Sequence, residues 1–190
     1  MSKPTYWYFK NILSLKEVKQ INNLIAKKKY PLEPDDCKAT NKKGEIIKYL
    51  KTHIVKLDIF KKQLDKVYQQ ALMTNRHHWG YDLFELPIEQ LYGHYNIYES
   101  TTKDNYDWHI DCTKNPYVDI KLTVLINLSE KQFEGGDLFI QEAGEPFIVN
   151  ELKEQGSMVI FKSYLRHTVT PVTKGIRKNL AIFLEGYKFK

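Results

Sequence analysis

Hydrophobic residues recur with two different periods along the chain, and the change near residue 80 divides it into two parts. Before this point the apolar positions are three or four residues apart, which is the spacing of one face of an α-helix. Ser14 and Glu17 have the spacing of a capping box and predict that a first helix begins near Leu15. Asp58 is the predicted N-cap of a second helix. The apolar faces of the two helices are Val18, Ile21, Leu24 and Ile25, and Phe60, Leu64, Val67, Tyr68 and Ala71.

Beyond residue 80 the period shortens towards two, and β-branched and aromatic residues dominate, as is typical of strands. The predicted strands are residues 81–86, 89–98, 107–111, 120–128, 138–141, 147–149, 158–162, 168–169 and 177–184. Short strands after two helices predict a mainly β (α+β) fold, an antiparallel sandwich or jelly roll with the N-terminal helices packed on one sheet. We expect one domain over residues 1–190, with 1–80 as a helical support region and 81–190 as the jelly-roll core. Residues 31–50 are interpreted as a long loop with at most a short strand.

The composition bears on membrane association and on the cellular compartment of the protein. No apolar run approaches the roughly 20 residues needed to cross a bilayer, so no membrane association is expected. The N-terminus lacks the apolar segment of a secretory signal, and the two cysteines, Cys37 and Cys112, fit a reducing compartment. We therefore expect a cytoplasmic protein. The pattern does not indicate an oligomeric state.

The net charge of +6 raises the question of an acidic partner. Nearly all of the positive charge is lysine, and only Arg76, Arg166 and Arg177 are arginines. Surfaces that bind nucleic acid generally use arginine for bidentate contacts. The lysines are thus interpreted as a solvated surface, and a nucleic-acid partner is not expected.

The candidate chemistry begins with His109 and Asp111 in the stretch Trp-His-Ile-Asp. Residues two apart on a strand point to the same face, so an imidazole and a carboxylate would lie side by side. A second histidine on a facing strand would complete a two-histidine, one-carboxylate triad with open positions, which suits non-haem Fe(II). His167, which follows the predicted strand 158–162, is the candidate. The alternatives are a surface His–Asp pair at a strand edge and a structural histidine in the core.

Arg177 begins the last predicted strand and shares a face with Asn179, Ala181 and Phe183. An arginine buried among apolar residues is costly unless an anion pairs with it, and its planar fork suits a carboxylate. A metal site with open positions beside this arginine suggests a co-substrate with two functional ends. One end would chelate the metal, and a carboxylate at the other would pair with Arg177.

The region from about residue 90 to residue 186 resembles the Fe(II)/2-oxoglutarate-dependent oxygenases, and among them the prolyl 4-hydroxylase-like group. The order and spacing of several short stretches carry the resemblance. These stretches are Tyr98, the Trp-His-Ile-Asp at 108–111, Leu-Thr-Val-Leu-Ile-Asn-Leu at 122–128, Phe-Glu-Gly-Gly-Asp-Leu at 133–138, Gly-Ser-Met-Val-Ile-Phe at 156–161, His-Thr-Val-Thr-Pro-Val at 167–172 and Gly-Ile-Arg at 175–177.

The resemblance implies a double-stranded β-helix in which His109, Asp111 and His167 bind iron and Arg177 pairs with the distal carboxylate of 2-oxoglutarate. Relatives usually have a tyrosine on the preceding strand that touches the co-substrate, and this role is carried to Tyr98. The remaining expected co-substrate residues are Thr123 and Asn127, which share one face of their strand. Some relatives have a tyrosine where Asn127 stands. Tyr106 is expected in the wall of the site.

The implied activity is a dioxygenase that uses Fe(II), 2-oxoglutarate and O2, with ascorbate as a further requirement, and releases succinate and CO2. A prolyl residue of a peptide or protein is the first expected substrate, entering over residues 100–105 and 112–118 and under 31–50. One alternative is oxidative dealkylation of nucleic acid, whose enzymes carry Arg-x-Asn-x-Thr-x-Arg. Here Ala181 and Phe183 occupy the last two places of that pattern. Another alternative is a non-catalytic jelly-roll module, or a protein whose triad holds zinc.

Overall fold

Two helices and thirteen strands build the molecule in the computed structural model, which describes residues 4–31, 39–41, 43–113 and 115–188. The helices are α1 (Leu15–Lys28) and α2 (Lys61–His78), and short 3-10 helices span Leu57–Phe60, Ile88–Gln90 and Asn150–Lys153. The strands are β1 (Tyr6–Phe9), β2 (Lys48–Tyr49), β3 (Lys51–Lys56), β4 (Tyr92–Glu99), β5 (Asn105–His109), β6 (Val118–Asn127), β7 (Glu134–Gly135), β8 (Leu138–Gln141), β9 (Phe147–Ile148), β10 (Met158–Lys162), β11 (Arg166–Val169), β12 (Val172–Lys174) and β13 (Ile176–Tyr187). Neither described helix is apolar over a length that would reach across a lipid bilayer.

The strands pair antiparallel in two main sheets, and the helices lie against the larger one. The six-stranded sheet has the order β1-β10-β6-β13-β4-β3, and the five-stranded sheet has the order β2-β5-β11-β8-β9. A third, two-stranded sheet joins β12 and β7. The predicted mainly β fold with helices packed on one sheet is confirmed.

Strand alternation sends neighbouring residues of the six-stranded sheet into two different cores. We call the cluster beneath the helices the outer core; its members include Val18, Ile21, Leu64, Val67, Leu122, Val124, Ile126, Ile160, Leu180 and Ile182. We call the cluster on the other face, towards the five-stranded sheet, the inner core; it comprises Tyr98, Leu125, Leu138, Ile140, Val149, Leu152, Val159, Phe161, Leu165, Val169, Val172 and Ala181. The outer core ties the helices to the sheet, whereas the inner core surrounds the polar side chains described below.

The predicted start of α1 is confirmed in detail. The Ser14 hydroxyl accepts a hydrogen bond from the Glu17 N–H, and the Glu17 carboxylate accepts one from the Ser14 N–H. Inside the fold, Asn22 locks α1 to the sheet: its amide donates to the Leu128 carbonyl at 2.8 Å and accepts from the Tyr95 hydroxyl at 2.6 Å. Both bonds are buried, so α1 is fixed by polar contacts as well as by its apolar face.

Three expectations about the first part of the chain were wrong. Asp58 does not cap α2, because a 3-10 turn precedes the helix and its carboxylate accepts from the adjacent Ile59 N–H instead. Residues 1–80 are not purely helical, since β1, β2 and β3 pair into the same sheets as the later strands. Residue 80 is therefore not a structural boundary. The short strand allowed within 31–50 is β2, while part of that loop, residues 32–38 and 42, lies outside the described chain.

The segment 81–86, predicted as a strand, has no regular secondary structure. It runs beside the end of β13, where the Phe84 N–H donates to the Glu185 carbonyl at 2.8 Å. The absence of a side chain at Gly186 permits this close approach, because a Cβ added there would lie 2.1 Å from the Asp82 carbonyl oxygen. The segment 81–86, despite its alternating pattern, thus packs against a strand edge without forming a strand.

Candidate metal centre

The three predicted metal ligands meet on the inner side of the five-stranded sheet. β5 and β11 are neighbours, and His109 and His167 are direct partners in their register. Asp111 follows the end of β5, and its N–H donates to the Ser163 carbonyl at 3.0 Å, in the turn between β10 and β11. The candidate ligand atoms of the three residues all lie within 4.8 Å of one another. The spacing of two residues and the strand pairing together produce this cluster.

Main-chain carbonyls orient both imidazoles. Nδ1 of His109 lies 2.7 Å from the Asp107 carbonyl oxygen, and Nδ1 of His167 lies 2.9 Å from that of Leu165. A carbonyl oxygen can only accept, so each Nδ1 carries a proton, and in the neutral ring Nε2 presents the lone pair. These Nε2 atoms lie 3.7 Å and 3.4 Å from the oxygens of Asp111. Both Nε2 atoms are thus the nitrogens that face the carboxylate.

Aromatic rings fix the planes of the two imidazoles. The Tyr106 ring stacks on His109 with centroids 3.4 Å apart and planes 10° apart. The Phe161 ring meets His167 edge-on at 4.8 Å. Tyr106 therefore forms part of the site wall, where the sequence predicts it.

Burial and mutual charge set the protonation of the triad. Burial, reinforced by the charge of His167, lowers the pKa of His109 to about 4. Burial alone would raise the pKa of Asp111, but His167, His109 and the Thr123 hydroxyl together lower it to about 2. Burial also opposes charge on His167, yet Asp111 outweighs it and raises the pKa of His167. Near neutral pH the site presents one carboxylate and one neutral imidazole, and a metal ion competes with a proton for the other imidazole.

This donor set fits a divalent transition metal. Two imidazole nitrogens and one carboxylate on one side of the ion make a facial triad, which leaves positions open and suits non-haem Fe(II). The carbonyls behind Nδ1 of each histidine are the outer contacts that metal-binding histidines commonly have. Among the described residues, His109, Asp111 and His167 are the group of this kind.

Arg177 lies on β13 opposite Tyr98 on β4, so both side chains enter the same face of the large sheet. Arg177 is 3% exposed; it donates to the Asn179 side-chain oxygen at 2.9 Å, and its guanidinium carbon lies 4.8 Å from the centre of the Tyr98 ring. Burial lowers the pKa of the Arg177 guanidinium, which still stays charged. Burial raises the pKa of the Tyr98 phenol, and Arg177 only partly offsets this effect.

The surroundings of Arg177 form a small cavity without an acidic partner for it. Among the described residues, no carboxylate lies within ion-pair distance of its guanidinium. Lys153 also lines the cavity, but it is already paired with Asp137 at 2.7 Å. Gly136 makes room for the arginine, because a Cβ there would lie 2.9 Å from the Arg177 Cδ. The cavity therefore holds a buried positive charge that a carboxylate would neutralise. Its lining is Phe133, Gly136, Leu138, Val149, Leu152, Lys153 and Arg177.

Two expected co-substrate residues have other partners. Thr123 donates its hydroxyl proton to Asp111 Oδ2 at 2.6 Å, so it contacts a metal ligand. Asn127 is 2% exposed, and its amide donates to the carbonyls of Leu152 and Lys153 at 2.9 and 3.0 Å. Its oxygen accepts from the Ser129 N–H. All of the polar atoms of Asn127 thus bond to main chain, which corrects its assignment as a co-substrate ligand.

Ser163 lies beside the candidate ligands and was not predicted from the sequence. Ser163 is fully buried, and its hydroxyl lies 3.0 Å from that of Thr123. It stands in a turn, where no periodicity marks a residue. Only the pairing of β10 with β6 reveals that it lies beside the triad.

The comparisons with known proteins agree with this geometry. Residues 93–185 match the family model of the 2OG-Fe(II) oxygenase superfamily. A PKHD-type hydroxylase from Synechococcus sp. (strain CC9605) is 32% identical over 93 residues, which are 48% of this chain and 41% of that protein. The chain thus spans less than half the length of this curated relative.

Solved structures with the same fold include prolyl hydroxylases. A Pseudomonas putida prolyl-4-hydroxylase superposes with a TM-score of 0.67 at 17% identity, over 95% of this chain and 91% of that one. A prolyl hydroxylase from Trichoplax adhaerens, in complex with a peptide fragment of hypoxia inducible factor, superposes with a TM-score of 0.66 at 14% identity, over 95% and 83% of the two chains. At these identities the likeness shows the fold, and it confirms the predicted jelly roll.

Proposed function

Because residues 93–185 of this chain match the family model of the 2OG-Fe(II) oxygenase superfamily, we propose that the protein is an Fe(II)- and 2-oxoglutarate-dependent dioxygenase. It hydroxylates an unactivated C–H bond, and its substrate is a prolyl residue of a peptide or protein. O2 is the oxidant, and ascorbate maintains the iron. One observation carries the proposal: a facial triad of metal donors and a buried arginine without an acidic partner share the inner side of one jelly roll.

Each residue of the site has a task in this proposal. His109, Asp111 and His167 would hold the iron, and the carbonyls of Asp107 and Leu165 would keep the proton of each neutral imidazole on Nδ1, so that Nε2 is the nitrogen offered to the metal. When bound, iron with 2-oxoglutarate and O2 supplies an oxidative decarboxylation to succinate and CO2 that is coupled to hydroxylation of the substrate.

Arg177 would neutralise the distal carboxylate of 2-oxoglutarate, and Tyr98 beside it would donate a hydrogen bond from its neutral phenol. The inner core around both residues excludes water, so the charge pairing occurs in a medium of low polarity. Fixed polar groups in such a medium bind a co-substrate in one orientation.

Exposed apolar side chains on the chain segments near the ligands support a peptide substrate. Apolar side chains stand exposed on the elements that carry the ligands: Ile110 lies between two of them, and Tyr164 follows Ser163 in the β10–β11 turn. Tyr49 on β2 and Tyr117 in the 112–118 segment are also exposed. Aromatic surfaces are a common recognition element for proline-containing segments. The Trichoplax hydroxylase of the same fold carries a bound peptide.

Succinate formation is the direct test. Protein loaded with Fe(II) and supplied with 2-oxoglutarate, O2 and ascorbate should release succinate, and His109→Ala should abolish the release. His77→Ala, which changes an exposed histidine at the end of α2, is the matched control and should keep wild-type turnover. Iron-loaded protein that neither binds 2-oxoglutarate nor forms succinate would refute the enzymatic function and favour a non-catalytic metal-binding module.

The substrate class needs a second measurement. A library of proline-containing peptides, incubated with the active protein, should yield products that are heavier by one oxygen atom, and fragment ions should place that atom on proline. Succinate formation with no oxidised prolyl product, but with oxidation of another residue type, would redirect the substrate assignment.

A further inference from the structure

A chain of two buried hydroxyl groups ends on the carboxylate of Asp111. The Thr123 hydroxyl lies 2.6 Å from Asp111 Oδ2, and the Ser163 hydroxyl lies 3.0 Å from that of Thr123. Thr123 is 1% exposed and Ser163 is fully buried, so water does not compete for these bonds. The three side chains form a linked unit beside the metal centre.

The direction of each proton follows from the chemistry of the acceptor. Asp111 is ionised near neutral pH and can only accept, so the Thr123 hydroxyl must donate to it. The single proton of Thr123 is then used, and Ser163 must donate to the Thr123 oxygen. Hydrogen bonds aligned in this way strengthen one another, and the one that ends on a charged oxygen is the strongest.

The main chain holds the same unit from the other side. The Asp111 N–H donates to the Ser163 carbonyl at 3.0 Å, and the Ser163 N–H donates to the Lys121 carbonyl at 3.1 Å. Thr123 and Ser163 are attached to β6 and β10, which pair directly with each other. The main chain of Asp111 is therefore tied to the β10–β11 turn, and its carboxylate cannot rotate without breaking the bond from Thr123 on β6.

The two carboxylate oxygens of Asp111 consequently differ. Oδ2 accepts from Thr123 and lies 3.4 Å from Nε2 of His167, whereas among the described residues no hydroxyl donates to Oδ1. Oδ1 lies 3.7 Å from Nε2 of His109. Oδ1 is thus the oxygen whose lone pairs no hydroxyl engages.

We propose that Thr123 and Ser163 are positioning residues that restrict Asp111 to one metal-binding oxygen and thereby keep one further coordination position open. The inference rests on the proposed function, because it assigns the triad to a metal. An octahedral ion held by one atom from each of three residues retains half of its positions, which a chelating 2-oxo acid and O2 together would fill. A carboxylate that bound through both oxygens would take one of these positions.

The test counts water molecules on bound Mn(II), a readout that needs neither turnover nor 2-oxoglutarate. Water-proton relaxation of the Mn(II)-loaded protein should give one fewer bound water for Thr123→Val than for the wild type. The 2-oxoglutarate affinity of the Mn(II)-loaded variant should fall by a larger factor than its Mn(II) affinity, because the position taken by the second carboxylate oxygen is one that the chelating acid needs. Thr123→Ser, which keeps the hydroxyl, should restore the wild-type values.

Two further variants keep the inference falsifiable if Thr123→Val does not fold. Ser163→Ala removes only the second link and should give a smaller loss of 2-oxoglutarate affinity. Thr52→Val, a buried threonine on β3 whose hydroxyl bonds to Asn96, is the matched control and should leave the water count unchanged.

The outcomes separate the two proposals. An unchanged water count in Thr123→Val would overturn the positioning role, and so would an Mn(II) affinity that falls more than the 2-oxoglutarate affinity. Wild-type protein that binds Mn(II) but not 2-oxoglutarate would refute the proposed function and leave the water count to decide the role of the hydroxyls. Wild-type protein that binds no divalent ion would overturn both.

Discussion

Replacing Arg177 with methionine removes a buried charge while keeping much of the side-chain volume. The arginine contacts Asn179 and Tyr98 and has no carboxylate partner among the described residues. Its loss relieves the cost of burying an unpaired charge, worth about 1–4 kcal/mol. It also leaves the Asn179 oxygen without its donor, at a cost of about 1–3 kcal/mol. The two effects nearly cancel, so the free energy of unfolding without ligand should stay within about 2 kcal/mol of the wild type.

The effect on 2-oxoglutarate should be much larger. Removing one partner of a buried charge pair costs about 2–5 kcal/mol of binding free energy. At 1.4 kcal/mol for each factor of ten, the Kd for 2-oxoglutarate should rise roughly 30- to 4,000-fold. The Kd for Mn(II) should not change, because Arg177 is not one of the grouped metal donors.

Thermal unfolding of the Mn(II)-loaded protein at increasing 2-oxoglutarate measures this difference. At a ligand concentration of 100 Kd the wild type gains about 2.7 kcal/mol, whereas a variant with a 30-fold weaker Kd gains less than about 1 kcal/mol. 2-Oxobutyrate has the same chelating end without a distal carboxylate and should bind equally to both proteins. Arg76→Met, an exposed arginine on α2 paired with Glu85, is the matched control.

Two results would refute the assignment of Arg177. One is wild-type affinity of Arg177→Met for 2-oxoglutarate. The other is an equal loss of affinity for 2-oxoglutarate and 2-oxobutyrate, which would mean that the substitution disturbs the chelating end.

The metal affinity, the outer core and the end of β13 give three more predictions. Asp111 is already ionised, whereas His167, whose pKa is raised, must lose its proton before it binds a metal. The Mn(II) affinity should therefore drop about tenfold per pH unit below the pKa of His167 and level off above it. A titration that shows constant affinity between about pH 5.5 and 8 would contradict this prediction. Asn22→Leu leaves the buried Leu128 carbonyl and the buried Tyr95 phenol unpaired, and should lower the free energy of unfolding, measured in urea, by about 2–4 kcal/mol. A loss below about 1 kcal/mol would show that these two groups find other partners. Gly186→Ala places a methyl group 2.1 Å from the Asp82 carbonyl oxygen and should cost about 1–3 kcal/mol in the same assay; unchanged stability would show that the segment 81–86 moves away freely.

Much of the architecture could be predicted because the large sheet is buried on both faces. Strands such as β6 and β13 contain continuous apolar runs, at 124–126 and 180–184, and the turns between strands contain glycine. The strand β3, with the sequence Lys-Thr-His-Ile-Val-Lys, was missed because an edge strand is stabilised by pairing with distant β4 rather than by its own composition. The opposite error occurred at 81–86, where alternation is present without a partner strand.

The same distinction separates what could be predicted of the site from what could not. The spacing of His109 and Asp111 predicted that both side chains reach one side of the sheet, and they do so although Asp111 lies just beyond the end of β5. It was also correct that Thr123 and Asn127 share a face of β6. Their positions along the strand determine their partners, however. Thr123 reaches Asp111, and Asn127 reaches the carbonyls of the 150–153 turn. The face to which a side chain points follows from the alternation of residues along its strand. The contacts of that side chain depend on the strand register, which the local sequence does not specify.

The direct pairing of His109 with His167 has a consequence for how the protein reaches its native state. If β11 were displaced by one residue along β5, one imidazole would point to the opposite face of the sheet, and the two nitrogens could no longer bind the same ion. An ion that binds all three donors therefore recognises the correct alignment of two strands that are 58 residues apart in the chain at these positions. A metal that binds this site would therefore favour the native register during folding, because its binding free energy would be gained only by chains whose strands are aligned as in the native protein.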